Sequence, residues 1–193
     1  RASVASMFAN APKDKDAPKF VPPISGTSLE RVIAADTPRG TVAITGAVPT
    51  KEDTPAVPVT PEEQIESTHE AYEAGASLVH IHVRNKDQTP SSNPAKYHAV
   101  QEGVKKHCPG MIIQFSTGGR GRDQEQRGGM LHHRPDMASL ATGSVNFPSS
   151  IYENPPDFVE SLASRMLEFD VKPEIEVFDV AMLYNAADLV KKG

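Results

Sequence analysis

One cysteine, no tryptophan and only 6% aromatic residues stand in a chain of 193 residues. A lone Cys108 closes no internal disulfide, so a reducing compartment, the cytoplasm, is the expected location. No apolar run approaches the roughly 20 residues needed to cross a bilayer. The net charge is -5, and neither a Lys/Arg cluster nor aromatic residues interleaved with basic ones are present, so the electrostatic footprint of a nucleic-acid binder is missing. The start lacks a charged head followed by an apolar stretch and a small-residue cleavage pattern, and it is not read as a secretory signal. It begins with Arg1 rather than Met, from which we expect a longer translated product. What is there, 38% hydrophobic and 23% charged residues with 17 prolines and 13 glycines, is ordinary globular composition.

Residues 1 to about 40 carry five prolines, mixed charge and no sustained period, which predicts an extended arm with a short helix near Ser28 to Ala35. From Thr41 the texture changes to short β-rich runs alternating with helical periods, the pattern of repeated βα units on a parallel sheet. Strands are predicted at 41–47, 77–83, 111–117, 137–144 and 174–180. Thr60-Pro61-Glu62-Glu63 reads as a capping box that opens a helix, and Gly75 as its stop. Further helices are expected from Asn93-Pro94 to before Pro109-Gly110, from Asp157 to Phe169, and after the fifth strand, with a polar connection running to about Pro135. Five units suit either an open doubly wound sheet or the first five units of a (β/α)8 TIM barrel. A complete barrel takes roughly 250 residues, and about 150 remain beyond the arm.

The chemistry concentrates at strand ends. On an extended strand His80, His82 and Arg84 share one face while Val79, Ile81 and Val83 share the other. Two neighbouring imidazoles on one face of a buried strand need partners, either a shared metal ion or hydrogen bonds. Ser116 stands where the third strand ends, followed by Gly118 and Gly119, a turn that suits an anion or is simply a tight βα connection. Glu174 and Glu176 share a face of the fifth strand. Glu176 lies inside the apolar run, as an acid/base group or as the ion-pair partner of Arg84. His69, His98, His107, His132 and His133 read as solvated residues, with adjacent His132 and His133 pointing apart, and Cys108 lacks the setting of a nucleophile.

From Thr41 to Gly193 the chain resembles the beta-keto acid cleavage enzymes, the family of 3-keto-5-aminohexanoate cleavage enzyme. The matching segments are Ala43-Ile44-Thr45-Gly46-Ala47, Pro58-Val59-Thr60-Pro61-Glu62-Glu63, Glu73-Ala74-Gly75-Ala76, His80-Ile81-His82-Val83-Arg84, Gln114-Phe115-Ser116-Thr117-Gly118-Gly119, Pro135-Asp136-Met137-Ala138-Ser139-Leu140 and Pro173-Glu174-Ile175-Glu176-Val177-Phe178. The resemblance implies a TIM barrel of which this chain holds the first five units. It also implies a divalent metal, usually zinc, on His80 and His82, and a keto-acid carboxylate held by Ser116, Thr117, Gly119 and Ser139. Arg84, on the face of the histidines, joins the substrate-binding group, and Glu176 is the catalytic glutamate. The implied reaction converts a β-keto acid and acetyl-CoA into acetoacetate and a new acyl-CoA in a homo-oligomeric enzyme. The family's third metal ligand and proton-transfer residues belong to later strands. Val48 stands where the aminohexanoate enzyme carries a glutamate, which argues against a substrate amine. A barrel-type zinc hydrolase and a catalytically inactive binding fragment are the competing readings.

Overall fold

The computed structural model describes residues 40–119 and 124–192. The elements are β1 (Thr41–Ala43), α1 (Pro61–Glu73), β2 (Leu78–Ile81), α2 (Pro94–His107), β3 (Ile112–Phe115), α3 (Gln124–Arg127), a 3-10 turn (Gly129–His133), β4 (Met137–Ala141), β5 (Val145–Phe147), β6 (Ser150–Tyr152), α4 (Pro156–Glu168), β7 (Lys172–Glu176) and α5 (Val180–Lys192). The arm and the helix expected near Ser28 to Ala35 lie outside the described residues, as do Arg120 and Gly121 of the glycine-rich turn.

Five strands form one parallel sheet in the order β1-β2-β3-β4-β7, and β5 and β6 form a separate antiparallel hairpin. An open doubly wound sheet reverses its strand order at a switch point, whereas a barrel adds each strand beside the last. The order here never reverses, so these are five consecutive units of a barrel. Among the described residues β7 pairs with β4 alone, and an apolar surface follows it: Val177, Phe178, Leu183 and Tyr184 are exposed.

The register divides the strands into two faces. Ala43, His80, Gln114 and Met137 stand side by side across β1 to β4, and Ser139 and Ala141 stand beside Glu174 and Glu176 of β7. The alternate positions carry the core. Val42, Val79, Ile81, Ile113 and Phe115 pack with Tyr97, Val100 and Val104 of α2, while Ala138 and Leu140 pack with Val159, Leu162 and Met166 of α4. Apolar side chains therefore face the helices, and the polar ones are left to the interior of the curved sheet.

The helix starts follow local chemistry. Thr60 Oγ1 accepts from the Glu63 N–H at 3.2 Å, and Glu63 Oε2 accepts from the Thr60 and Val59 N–H groups at 3.0 and 2.7 Å. Lys51 Nζ lies 2.8 Å from Glu63 Oε1, and these donors together, with Lys51 the largest influence, pull the Glu63 carboxyl down to about 2. Gly75 ends α1 with φ 101, a left-handed conformation that costs glycine nothing. Asn93 Oδ1 caps α2 by accepting from Ala95 N–H at 2.9 Å.

Three expectations change. The strands are shorter than the apolar runs, since β2 ends at Ile81 and β7 at Glu176. The supposed polar connection contains α3 and the 3-10 turn, and this turn brings the His132 and His133 rings together, 3.9 Å between centroids, instead of pointing them apart. His133 in turn stacks on His98 at 4.7 Å. The β5–β6 hairpin, Val145 to Tyr152, was not expected at all. Its turn, Pro148-Ser149, has a common composition for a loop, and the pairing partners are only three residues long.

Candidate active site at the strand ends

A cavity of about 230 Å³ opens at the carboxyl ends of the strands, where parallel βα folds bind their ligands. His80 and His82 of the β2 segment, Ser116, Gly118 and Gly119 after β3, and Glu176 at the end of β7 line it together. Ala47 and Val48 of the loop after β1, Phe147 and Tyr152 of the hairpin, and Phe178 complete the wall.

The two histidines converge. His80 Nε2 and His82 Nε2 lie 3.0 Å apart, and the rings meet edge to face. Two nitrogens that each bind one tetrahedral zinc at about 2.0–2.1 Å sit roughly 3.3 Å from one another, so the pair suits a shared cation. On its other side His80 Nδ1 meets Gln114 Oε1 at 2.6 Å, the kind of partner that metal-binding imidazoles use. No cluster of three or more His, Cys, Asp or Glu side chains able to hold a metal occurs among the described residues, so a third ligand would have to come from elsewhere.

Ser116 and the glycines form the facing wall. Ser116 Oγ accepts from the Gly118 N–H at 3.2 Å, and Tyr97 Oη donates to the Ser116 carbonyl at 2.9 Å. A methyl group on Gly118 would lie 3.1 Å from Ser116 Oγ and 3.8 Å from His82 Cε1, which shows how closely the turn approaches the imidazoles. Thr117 and Ser139 are both buried and hold one another. Thr117 N–H donates to Ser139 Oγ at 3.0 Å, and Thr117 Oγ1 donates to the Ser139 carbonyl at 2.6 Å. They lock the turn after β3 to β4, one layer behind the cavity surface.

Burial, and then the neighbouring Glu174, push the Glu176 carboxyl above its ordinary range, and Arg127 opposes them. The cation that Glu176 senses is thus Arg127, where the sequence suggested Arg84. Arg84 leaves the histidines' face because the extended alternation stops after Ile81. Its guanidinium turns under the loops, donating to the carbonyls of Gly46, Pro49 (3.1 Å) and Gln88 (2.7 Å). This fastens the loop that carries Val48 to the cavity. Cys108 is buried, and burial followed by the charge of Glu73 pushes its thiol up to about 11, far from a thiolate nucleophile.

The structure adds residues that the sequence did not single out. Arg127 is fully buried and donates to Thr117 O (2.9 Å), Glu153 O (2.7 Å), Asn154 Oδ1 (2.6 Å) and Tyr152 Oη (3.2 Å). It lies over the rings of Tyr152 and Phe158 and ties the glycine turn to the hairpin. Nothing in Gln124-Glu125-Gln126-Arg127 marks a core residue. Gln114 carried the same signal as His80, a polar side chain inside an apolar strand.

The model of the beta-keto acid cleavage enzyme family matches residues 41–193. The chain belongs to this family. It is 59% identical over 152 residues to the 3-oxoadipate:acetyl-CoA acetyltransferase of Cupriavidus necator, covering 79% of this chain and 54% of that protein. It is 42% identical over 155 residues to the 3-keto-5-aminohexanoate cleavage enzyme of Acetoanaerobium sticklandii, with 79% and 57% covered. The chain thus spans about half the length of the curated relatives it matches. Among solved structures, apo ObcA superposes with a TM-score of 0.64 at 29% identity over 70% of this chain and 33% of that one. A ternary complex of ObcA with a C4-CoA adduct and oxalate superposes with a TM-score of 0.63 at 29% identity, covering 70% and 34%. The beta-keto acid cleavage family is the one named by the sequence motifs, and its strand-end segments are those that line the cavity.

Proposed function

We propose that this chain is the N-terminal part, over residues 41–193, of a metal-dependent beta-keto acid cleavage enzyme that converts a β-keto acid and acetyl-CoA into acetoacetate and a new acyl-CoA. The observation that carries the reading is the convergence of His80 Nε2 and His82 Nε2, 3.0 Å apart, opposite the Ser116–Gly119 turn and Glu176 in one cavity. His80 and His82 would hold a divalent cation, zinc on the family resemblance, together with a ligand from outside the described residues. When bound, the cation supplies positive charge that stabilises a developing enolate.

The chain's own residues do the rest. Ser116 Oγ and the backbone of Gly118 and Gly119 bind the keto-acid carboxylate, and the mutual bonds of Thr117 and Ser139 keep that turn in place. Glu176, whose carboxyl is pushed above its ordinary range by burial and then by Glu174, moves a proton at the substrate carbon chain. Arg84 contributes to substrate binding through the Gly46–Pro49 loop. Phe147, Tyr152 and Val48 keep water from the cavity. Val48, in place of a glutamate, argues against a substrate amine at this part of the wall. The relative at 59% identity is named for 3-oxoadipate, which makes that dicarboxylate the substrate to try first. Cleavage of 3-oxoadipate with acetyl-CoA would yield acetoacetate and succinyl-CoA.

A cytoplasmic homo-oligomer belongs to the same reading. No helix among the described residues is long and apolar enough to cross a membrane, and the exposed face of Val177, Phe178, Leu183 and Tyr184 supports burial against further polypeptide. The test is elemental analysis and intact mass on the native protein, followed by an assay of acetoacetate and acyl-CoA formation. About one zinc per chain and transfer from 3-oxoadipate are expected, both lost in His80→Ala. Full transfer activity in His80→Ala would overturn the reading, and thioester hydrolysis without transfer would favour a hydrolase.

A further inference from the structure

One cluster of polar side chains behind the cavity has no part in the roles above. Gln114 is buried in β3, with His80 of β2 on one side and Met137 of β4 on the other, and its side chain reaches across β4 to Glu174 of β7. Its Oε1 lies 2.6 Å from His80 Nδ1, and its Nε2 lies 2.6 Å from Glu174 Oε2. With the His80–His82 contact at 3.0 Å, a continuous chain runs Glu174, Gln114, His80, His82 across the inner face of the sheet.

We propose that Glu174 and Gln114 are positioning residues that set the tautomer of His80, so that its Nε2 presents a lone pair toward His82 and the cavity. The deduction starts from Glu174. A carboxylate only accepts, so the Gln114 atom that faces it must be the amide nitrogen. The flipped amide would bring two oxygens to 2.6 Å with no proton between them. The other end of the amide is then the carbonyl oxygen, also an acceptor, and the nitrogen facing it must carry a proton. His80 is therefore the Nδ1–H tautomer, and its Nε2 has the free electron pair. One proton must still lie in the Nε2–Nε2 contact in the absence of a cation, and it belongs to His82. The two imidazoles are thus unequal: His80 is preset for a cation, and His82 Nε2 must lose its proton when one binds. Outer partners of this kind fix ring orientation and ligand basicity.

The inference rests on the metal-site reading for its purpose, and its test does not depend on it. Long-range 1H–15N correlation on the metal-free, intact protein reads the tautomer of each neutral histidine directly. We expect His80 as Nδ1–H and His82 as Nε2–H in the wild type. In Glu174→Ala, Gln114 loses the partner that orients it and the Nε2–H form of His80 grows. Gln114→Met, similar in volume but without an acceptor, has the same effect, and Glu174→Gln, which keeps an acceptor oxygen, restores part of the original distribution. Zinc affinity, measured by competition with a chromogenic chelator, falls about 10–100-fold in Glu174→Ala. An Nε2–H tautomer of His80 in the wild type, or a tautomer that both Glu174→Ala and Gln114→Met leave unchanged, overturns the proposal even if zinc binds. A protein that takes up no zinc yet loses the Nδ1–H form in Glu174→Ala upholds it and removes the zinc reading instead.

Discussion

Gly119→Ala puts a single methyl group into the most constrained contact of the site. A Cβ there would stand 2.0 Å from Arg127 Cδ, 2.2 Å from Nε and 2.8 Å from Cγ. The backbone is not in the left-handed region, so alanine would be tolerated if space allowed. Arg127 cannot simply swing aside, because four hydrogen bonds hold its guanidinium against Thr117, Tyr152, Glu153 and Asn154. Hydrogen bonds to a charged group contribute about 1.5–3 kcal/mol each, so moving the arginine far enough to break one or two costs about 3 kcal/mol. For a chain of this size each kcal/mol lowers the melting temperature by about 2–4 °C, which gives a fall of about 6–12 °C. Calorimetry and urea unfolding measure it. The decisive comparison is the same substitution in an Arg127→Ala background, where the methyl group has room and costs less than about 0.5 kcal/mol. A melting temperature within 1 °C of wild type, or an equal loss in both backgrounds, would refute the reasoning.

Further outcomes follow from the same geometry. Burial, Glu174 and Arg127 together leave the Glu176 carboxyl above its ordinary 4.5, so the native state holds that proton more tightly than the unfolded chain does. The contribution of Glu176 to stability is full below about 4.5 and declines as pH rises through the raised value; Glu176→Gln should gain stability over wild type at pH 8 but not at pH 4, in paired urea titrations. The same variant should keep its zinc and lose turnover. Ser116→Ala should chiefly raise KM for the keto acid, by about 10–100-fold for one lost hydrogen bond to a carboxylate, in steady-state kinetics; an unchanged KM removes Ser116 from the carboxylate pocket. Gly103→Ala would place its Cβ 2.1 Å from Ile65 Cδ1 between α2 and α1, and overpacking of about 1–3 kcal/mol exceeds the roughly 1 kcal/mol that alanine gains in a helix. Thermal melts should show net destabilisation, partly recovered by Ile65→Val.

The sequence by itself determined the parts that depend on neighbours along the chain. Thr60 and Glu63 find each other within one turn, Gly75 needs only its own φ, and His80 and His82 share a face because extended backbone alternates. A polar residue inside an apolar strand is legible without coordinates, which is why Glu176 stood out, and Gln114 carries the same mark. The alternation of elements announced repeated βα units, and the choice between barrel and open sheet, on the residues alone, waited for the strand order. Tertiary structure alone decided which charges meet. Arg84 and Arg127 look interchangeable as isolated cations, yet one lies beneath loop carbonyls 38 residues away in sequence and the other behind a glycine turn, within reach of Glu176. Side-chain burial depends on what packs over it from distant parts of the chain. The hairpin escaped for the same reason: three-residue strands carry too little pattern to declare themselves, and Tyr152 of the hairpin is held from outside it by Arg127 at its hydroxyl and Asn154 at its carbonyl.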